Sequence, residues 1–397
     1  MKSQLLLTLQ LLDEYGSWEC TSTTRDKETI TRRFEHEGES FITITLASFA
    51  RDFQKSLERG YVANTDFLSF KKVRCLPAFL QGFTSRVFDD RSGLLLLNPS
   101  TTAIDAVRQI CLLNQKLLLP ATPEREAAAM EGFLECEERV REYDRTRDEE
   151  SLEHFERVSS VLFGPSLLQL DEECWLIDDQ LRPKHGPGAT ADKRKGNQKW
   201  KPTSWTVRLE NIFPMRDFLI PSERYYEELD LVDVLDPEAE LPVKVISVPK
   251  TLKTPRIIAI EPTCMQYVQQ AISRRLVDLL EEQLEGMIGF TDQLPNREMA
   301  RLGSIDRSLA TIDLSSASDL VSNQLVRQMF RRYPSLNEAV DACRSRKADV
   351  PGHGVMRLAK FASMGSALWF PVEAMVFLTI VFMALAEDLK TSVTPSL

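Results

Sequence analysis

Residues 309–333, LATIDLSSASDLVSNQLVRQMFRRY, place two carboxylates, Asp313 and Asp319, where one side-chain periodicity gives way to another. LATIDL has the composition of a buried strand. Leu320, Val321, Leu325, Met329 and Phe330 then mark the apolar face of a helix that Ser315 or Ser316 would cap. Asp319 falls in the first turn of that helix, where complementing the helix dipole is sufficient reason for an acid. Asp313 is harder to place. It closes an apolar strand, and a carboxylate there is costly unless it opens into a cleft or meets a cation. A hard cation such as Mg2+ takes oxygen ligands, one or two carboxylates together with substrate phosphates. Asp313 therefore suits a metal ligand, and Asp319 with the small hydroxyls around it suits hydrogen bonding to a sugar.

Two other stretches carry chemistry. VKVISVPKTLKTPRIIAIEP (243–262) reads as a strand, a basic turn and a second strand, because both apolar runs are β-branched and of strand length. Lys250, Lys253 and Arg256 on that turn can neutralise a triphosphate and the charge that develops on it. Pro262 then precedes a helix with Met265, Val268 and Ile272 on one side. In KFASMGSALWFPVEAMVFLTIV (360–381) a Ser-Met-Gly-Ser turn enters an apolar helix. Gly365 there permits close backbone approach, Ser363 and Ser366 offer hydroxyls, and Glu373 inside the apolar run needs a partner.

The rest of the chain frames these elements. Residues 1 to about 120 read as helices and loops, beginning with an amphipathic helix rather than a signal peptide and broken at LNPSTT (97–102) and LLPATP (118–123). Pro123 opens a long helical stretch with Met130, Phe133 and Leu134 at helical spacing and alternating acids and arginines, which reads as a solvated helix pair. LRPKHGPGATADKRKGNQKWK (181–201) holds seven Lys or Arg against one Asp, with three glycines and two prolines, and reads as a mobile basic loop. An acidic linker follows at 225–242. The net charge of −10 is a poor average for a nucleic-acid binder, but base collects at 182–201 and 244–256 while acid collects at 124–157 and 225–240. A nucleic-acid channel needs local positive potential, not a positive average. Seven scattered cysteines, never in a CxxC pair, suit free thiols in a reducing compartment and argue against zinc. The uncharged run 374–386 is shorter than the ~20 residues a bilayer span requires.

Taken in order, VPKTLKTPRIIAIEP (248–262), DQLPNREMARLGS (292–304), ATIDLSSASD (310–319) and FASMGSALWFPVEAMVF (361–377) resemble the RNA-dependent RNA polymerases, the replicase β subunits, of levivirus-like single-stranded RNA bacteriophages. The resemblance is specific across about 245–385, with HGPGAT (185–190) a further feature. It implies an α+β fold, a right-hand polymerase with fingers and a partial palm behind a largely helical N-terminal region. The expected divisions are 1–180 helical, 181–309 fingers-like and 310–397 palm. It implies Asp313 as catalytic metal ligand and Asp319 beside the incoming ribose. Ser366, with Ser363 and Gly365 in the same bend, would face the nucleotide, and Lys250, Lys253 and Arg256 the triphosphate. Lys184, Lys193, Arg194 and Lys195 of the basic loop would meet RNA.

The cofactor it implies is Mg2+, in a two-ion site of the complete enzyme, with Mn2+ as the alternative. The implied partners are an RNA template, nucleoside triphosphates, host translation factors and a ribosomal protein, with no membrane, in the cytoplasm of an infected bacterium. Better-known members carry Asn-Gly after the Met-Gly, where this chain has Ser366 and Ala367. The family's Tyr-Gly-Asp-Asp hairpin does not occur in the 397 residues, so the expectation is the front part of a replicase, with an incomplete metal cage and little activity alone. A reverse transcriptase fits less well, because the serine-rich path to Asp319 leaves room for a 2′-hydroxyl. The competing class is a non-catalytic RNA-binding or membrane-associated protein, with 361–386 lying in a bilayer at a cost of ~2.5–3.5 kcal/mol for Glu373.

Overall fold

The computed structural model describes residues 2–176, 181–201, 203–220 and 222–388. The expected division at 180 and the last residues of the expected palm lie outside them. The chain is a mixture of helices and small sheets and divides into two compact units, Met1–Ala129 with Ser247–Arg256, and Met130–Ile246 with Ile257–Leu397.

In the first unit, helices Lys2–Trp18, Thr24–Glu37, Leu46–Arg59 and Thr101–Leu112 enclose a core rich in phenylalanine, including Phe41, Phe49, Phe53, Phe83 and Phe88. Each such ring contributes on the order of 1.5–3 kcal/mol by leaving water. The expected breaks are present: Ser100 accepts from the Ala103 N–H at 3.1 Å and so caps the Thr101 helix, and residues 117–122 are irregular before Pro123. The turn 249–255 belongs to this unit.

The second unit is built round a four-stranded sheet in the order Arg256–Ile260, Val243–Val248, Lys347–Val350, Gly354–Arg357. Val243 pairs with Ala348 in parallel register, and Lys347 with Arg357 in antiparallel register. Val243 and Val245 are buried while Lys244 is exposed, the alternation expected of a sheet with one covered face. The cover is the helix Pro123–Thr146, whose Met130 and Phe133 pack with Val243, Val245, Ala259, Ala348 and Val350.

The next helix, Glu149–Leu176, is not solvated as the sequence suggested. It runs through the core against the helices Pro334–Cys343, Trp369–Asp388, Thr263–Gln283 and Asn323–Met329, burying Phe155, Phe163, Leu167 and Leu170. Its acids are accommodated by ion pairs between helices: Arg275 grips Glu173 through Nε at 2.7 Å and Nη2 at 2.5 Å, and Arg332 Nε meets Glu156 at 2.6 Å. The acidic linker is also partly ordered, since Asp233–Leu235 pairs in parallel with Ser204–Thr206.

Candidate functional site

The Ser-Met-Gly-Ser bend is locked onto the sheet. The Ala259 N–H donates to the Met364 carbonyl at 2.9 Å. Gly365 follows at φ +138°, and a Cβ there would stand 2.0 Å from the Ala259 oxygen. No other residue fits so close to the strand. Ser366 Oγ donates to Gln269 Oε1 at 3.0 Å, as does the Ala367 N–H, and Gln269 is fixed in turn through Nε2 to the Cys343 carbonyl at 2.8 Å. Ser366 thus keeps its lone pairs while its hydrogen is committed. Ser363 Oγ is buried and has no hydrogen-bond partner among the described residues.

Just before the bend, Phe361 N–H donates to the Val321 carbonyl and Asn323 N–H to the Ala359 carbonyl. This pairing brings Lys360 to Asp319, a contact that no motif in the sequence marks. Lys360 is fully buried: its Nζ donates to Asp319 Oδ1 at 2.8 Å, stands 3.8 Å from Glu137 Oε1 and lies 3.3 Å from the centre of the Phe133 ring. Glu137 is also fully buried and accepts the Ala359 N–H at 2.7 Å. Glu373, on the Trp369–Asp388 helix, has no hydrogen bond or ion pair among the described residues where its apolar run called for a partner; instead burial, and then the like charge of Asp319, push its carboxyl up to about 7. Asp319, Lys360 and Glu373 therefore form one polar group inside the second unit, and the bend follows Lys360 directly in the chain.

Asp313 is placed differently from the expectation. Residues 308–314 are irregular rather than a strand, and Ile312 is 81% exposed. The physical reason is that a strand exists through its neighbour, and among the described residues no strand pairs with this segment. The helix cap also moves. Ser316 sits at φ 55° with no capping bond, before a single turn Ala317–Leu320. Ser322 instead caps the helix Asn323–Met329, accepting from Gln324 N at 2.9 Å, and its own hydroxyl donates to Asp144 at 2.5 Å. Asp313 itself is exposed and makes no ion pair among the described residues.

No group of three or more His, Cys, Asp or Glu among the described residues is arranged to hold a metal. Asp313 offers one oxygen-donor side chain, and Asp319 is taken by Lys360. These residues fit one carboxylate contact to a Mg2+ otherwise held by water and phosphate.

In the first unit, Lys250, Lys253 and Arg256 are all exposed. Their turn is pinned by Arg125, whose Nη1 donates to the Leu252 carbonyl at 3.0 Å, and by Thr254 N–H to Thr251 Oγ1 at 3.3 Å. The cations thus stand on a braced turn and are available to an anion.

The basic loop divides its cations between two roles. Lys184, Lys193 and Lys195 are exposed. Arg194 staples the loop, donating to the Gln198 carbonyl at 2.9 Å, Thr203 Oγ1 at 2.7 Å and the Lys201 carbonyl, and lying 3.4 Å from Asp192. Lys199 is 2% exposed, with Nζ donating to the carbonyls of Gly186 and Gly188 at 2.5 Å each. Charge counting along the sequence could not single it out.

The apolar helix Trp369–Asp388 is 20 residues long, enough by length and composition alone to cross a membrane. The uncharged run 374–386 is only part of it. Within the fold the helix buries Pro371, Val372, Glu373, Met375, Val376 and Thr379.

Comparison with known proteins agrees with the resemblance drawn from the motifs. Residues 238–393 match the family model described as RNA replicase, beta-chain. The chain is 31% identical over 269 residues to the RNA-directed RNA polymerase subunit beta of Enterobacteria phage SP, an alignment covering 66% of this chain and 45% of that protein. It is 37% identical over 138 residues to the RNA-directed RNA polymerase beta chain of Escherichia phage MS2, covering 34% of this chain and 24% of the relative. With the corresponding subunit of Escherichia virus Qbeta the identity is 36% over 137 residues, 34% of this chain and 22% of the relative. The matches span less than half the length of each of these relatives.

Proposed function

We propose that this chain, similar to the replicase β chains of RNA phages, carries fingers and part of the palm of a right-hand RNA-directed RNA polymerase that copies a phage RNA genome. The observation that carries the reading is the polar group of the second unit. The glycine-locked bend of Ser363–Ser366 lies in the same unit as Asp319, itself held by buried Lys360, and both belong to motifs that resemble those of the family.

In this reading Asp319 and Ser366 meet the ribose of an incoming nucleoside triphosphate. In the first unit Lys250, Lys253 and Arg256 meet nucleotide phosphates, and in the second Lys184, Lys193 and Lys195 meet the RNA backbone. Mg2+, or Mn2+ in its place, would supply charge neutralisation at the transferring phosphate, with Asp313 contributing one carboxylate. Host translation factors and a ribosomal protein are the proposed partners, in the cytoplasm of the infected bacterium.

The test is photocrosslinking of 8-azido-ATP to the chain with Mg2+ present. The expected result is labelling within 248–262 or 361–377, competed by ATP better than by dATP and weakened at least fivefold by Asp319→Ala. Equal competition by dATP, or labelling unaffected by Asp319→Ala, counts against the assignment. The membrane-associated reading rests on the length of the Trp369–Asp388 helix. A third of its apolar stretch, Glu373 included, is buried in the fold, which supports a helix packed along one face, and flotation of the chain with liposomes would favour the membrane reading instead.

A further inference from the structure

Loop 181–201 folds over the start of the helix Thr263–Gln283 and leaves a pocket between them. Its wall is aromatic. His185 lies against Tyr267 with ring centroids 4.4 Å apart and planes 26° apart, and Trp200 meets His185 edge-on at 4.7 Å. Trp200 nevertheless keeps 60% of its surface exposed, so much of the indole has no partner within the protein. Burial and the charge of Lys199 hold His185 down at about 4, so its ring is neutral at physiological pH and adds a stacking surface rather than a second cation.

The charges in the pocket do not balance. Asp192 accepts from Thr263 Oγ1 at 2.6 and 2.8 Å and faces Arg194 at 3.4 Å, so that acid and that base answer each other. Lys199 lines the same pocket, almost fully buried, and has no carboxylate within ion-pair distance among the described residues. Two of its three ammonium hydrogens are taken by the Gly186 and Gly188 carbonyls. A buried cation without a counter-charge is costly, and one facing a pocket is matched by an anion that enters it.

From this juxtaposition we propose that the pocket binds a nucleotide, with the base stacked on the open face of Trp200 beside His185 and a phosphate at the remaining donor of Lys199. The proposal rests on the RNA-copying reading above and adds to it a binding contact on the basic loop. The same chemistry is offered by a nucleotide within a single RNA strand and by a free monophosphate.

The test measures binding of a fluorescein-labelled hexacytidylate RNA to the whole chain, with AMP as competitor. Trp200→Ala is expected to weaken binding about tenfold, the scale of a single base–aromatic stack, while leaving the salt dependence unchanged because stacking releases no counterions. Trp200→Phe should retain most of the affinity. Lys199→Met should lower both the affinity and the log–log salt slope, the latter by ~0.7. Should that variant fail to fold, the comparison at the exposed Trp200 still decides.

Displacement of the oligomer by AMP assigns the pocket to free nucleotides. Loss of oligomer binding in Trp200→Ala without displacement by AMP assigns it to the strand. Wild-type affinity in Trp200→Ala overturns the pocket and leaves the polymerase reading standing. Failure of the unmodified chain to bind either ligand overturns both.

Discussion

Replacing Lys360 with methionine separates two partners that distance alone would rank wrongly. Asp319 is the nearer, 2.8 Å from Nζ against 3.8 Å for Glu137, yet the Asp319 side chain is 26% exposed and Glu137 is 0% exposed. Methionine fills most of the lysine stem's volume and stays against Phe133, so the cavity contribution is small. Once the ammonium is gone, water can reach Asp319. Glu137 is far less open to water: among the described residues its Oε1 has no hydrogen-bond partner, and its Oε2 retains the Ala359 N–H and a long ion pair with Arg141 at 3.9 Å. Stranding a buried charge costs about 3–5 kcal/mol, and the Arg141 contact at 3.9 Å is long, so Lys360→Met should destabilise the chain by up to that amount. Adding Glu137→Gln should bring stability back to within ~1.5 kcal/mol of wild type, whereas adding Asp319→Asn should recover less than ~1 kcal/mol. Urea unfolding followed by tryptophan fluorescence, with both double-mutant cycles, measures these differences. A larger rescue by Asp319→Asn than by Glu137→Gln would refute the reasoning, as would a cost below ~1 kcal/mol for Lys360→Met.

Gly365→Ala should destabilise by about 2–4 kcal/mol, because the added methyl meets the Ala259 carbonyl at 2.0 Å on a backbone at φ +138°; equilibrium unfolding within 0.5 kcal/mol of wild type, taken as roughly the noise of a neutral surface change, would contradict it. Glu373 is raised to about 7 from its ordinary 4.5, so the folded state holds a proton that the unfolded state releases first. Its contribution to stability is therefore greatest below about pH 4.5 and declines as pH rises through 7, by up to ~3 kcal/mol. Glu373→Gln should remove that part of the slope in denaturation curves taken across the window. Glu261, raised to about 7 chiefly by burial, supplies a slope of the same sign that should remain. In the basic loop, Lys193→Ala with Lys195→Ala should lower the salt slope of RNA binding by ~0.7 for each phosphate no longer neutralised. Arg194→Ala should chiefly open 181–201 to limited proteolysis, and an intact loop in that variant would remove its role as a staple.

The parts of this fold that were legible in the sequence are those set by local pattern. Val243, Lys244 and Val245 alternate, and they form a strand with one covered face. Met265, Val268 and Ile272 recur at helical spacing, and all three are buried. Gly365 was readable as a close approach because only the absence of a side chain explains glycine between Met364 and Ser366. The failures share a different cause, which is that the deciding partner lies elsewhere in the chain. LATIDL has a strand's composition, but composition supplies no hydrogen-bonded neighbour, and the segment is irregular. The helix Glu149–Leu176 looked solvated because its acids were counted without Arg275 and Arg332, which reach it from other helices.

The two buried lysines complete the point. Lysine is among the residue types least often fully buried, and only when paired, so a linear reading assigns every lysine to solvent or to a ligand. Lys360 is paired, with acids from two distant segments, and it arranges the group around Asp319. Among the described residues Lys199 is satisfied only by carbonyls of its own loop, and its charge is left over. That difference separates the residue that organises a site from the one that marks a ligand, and it becomes visible only when each lysine's acceptors are known.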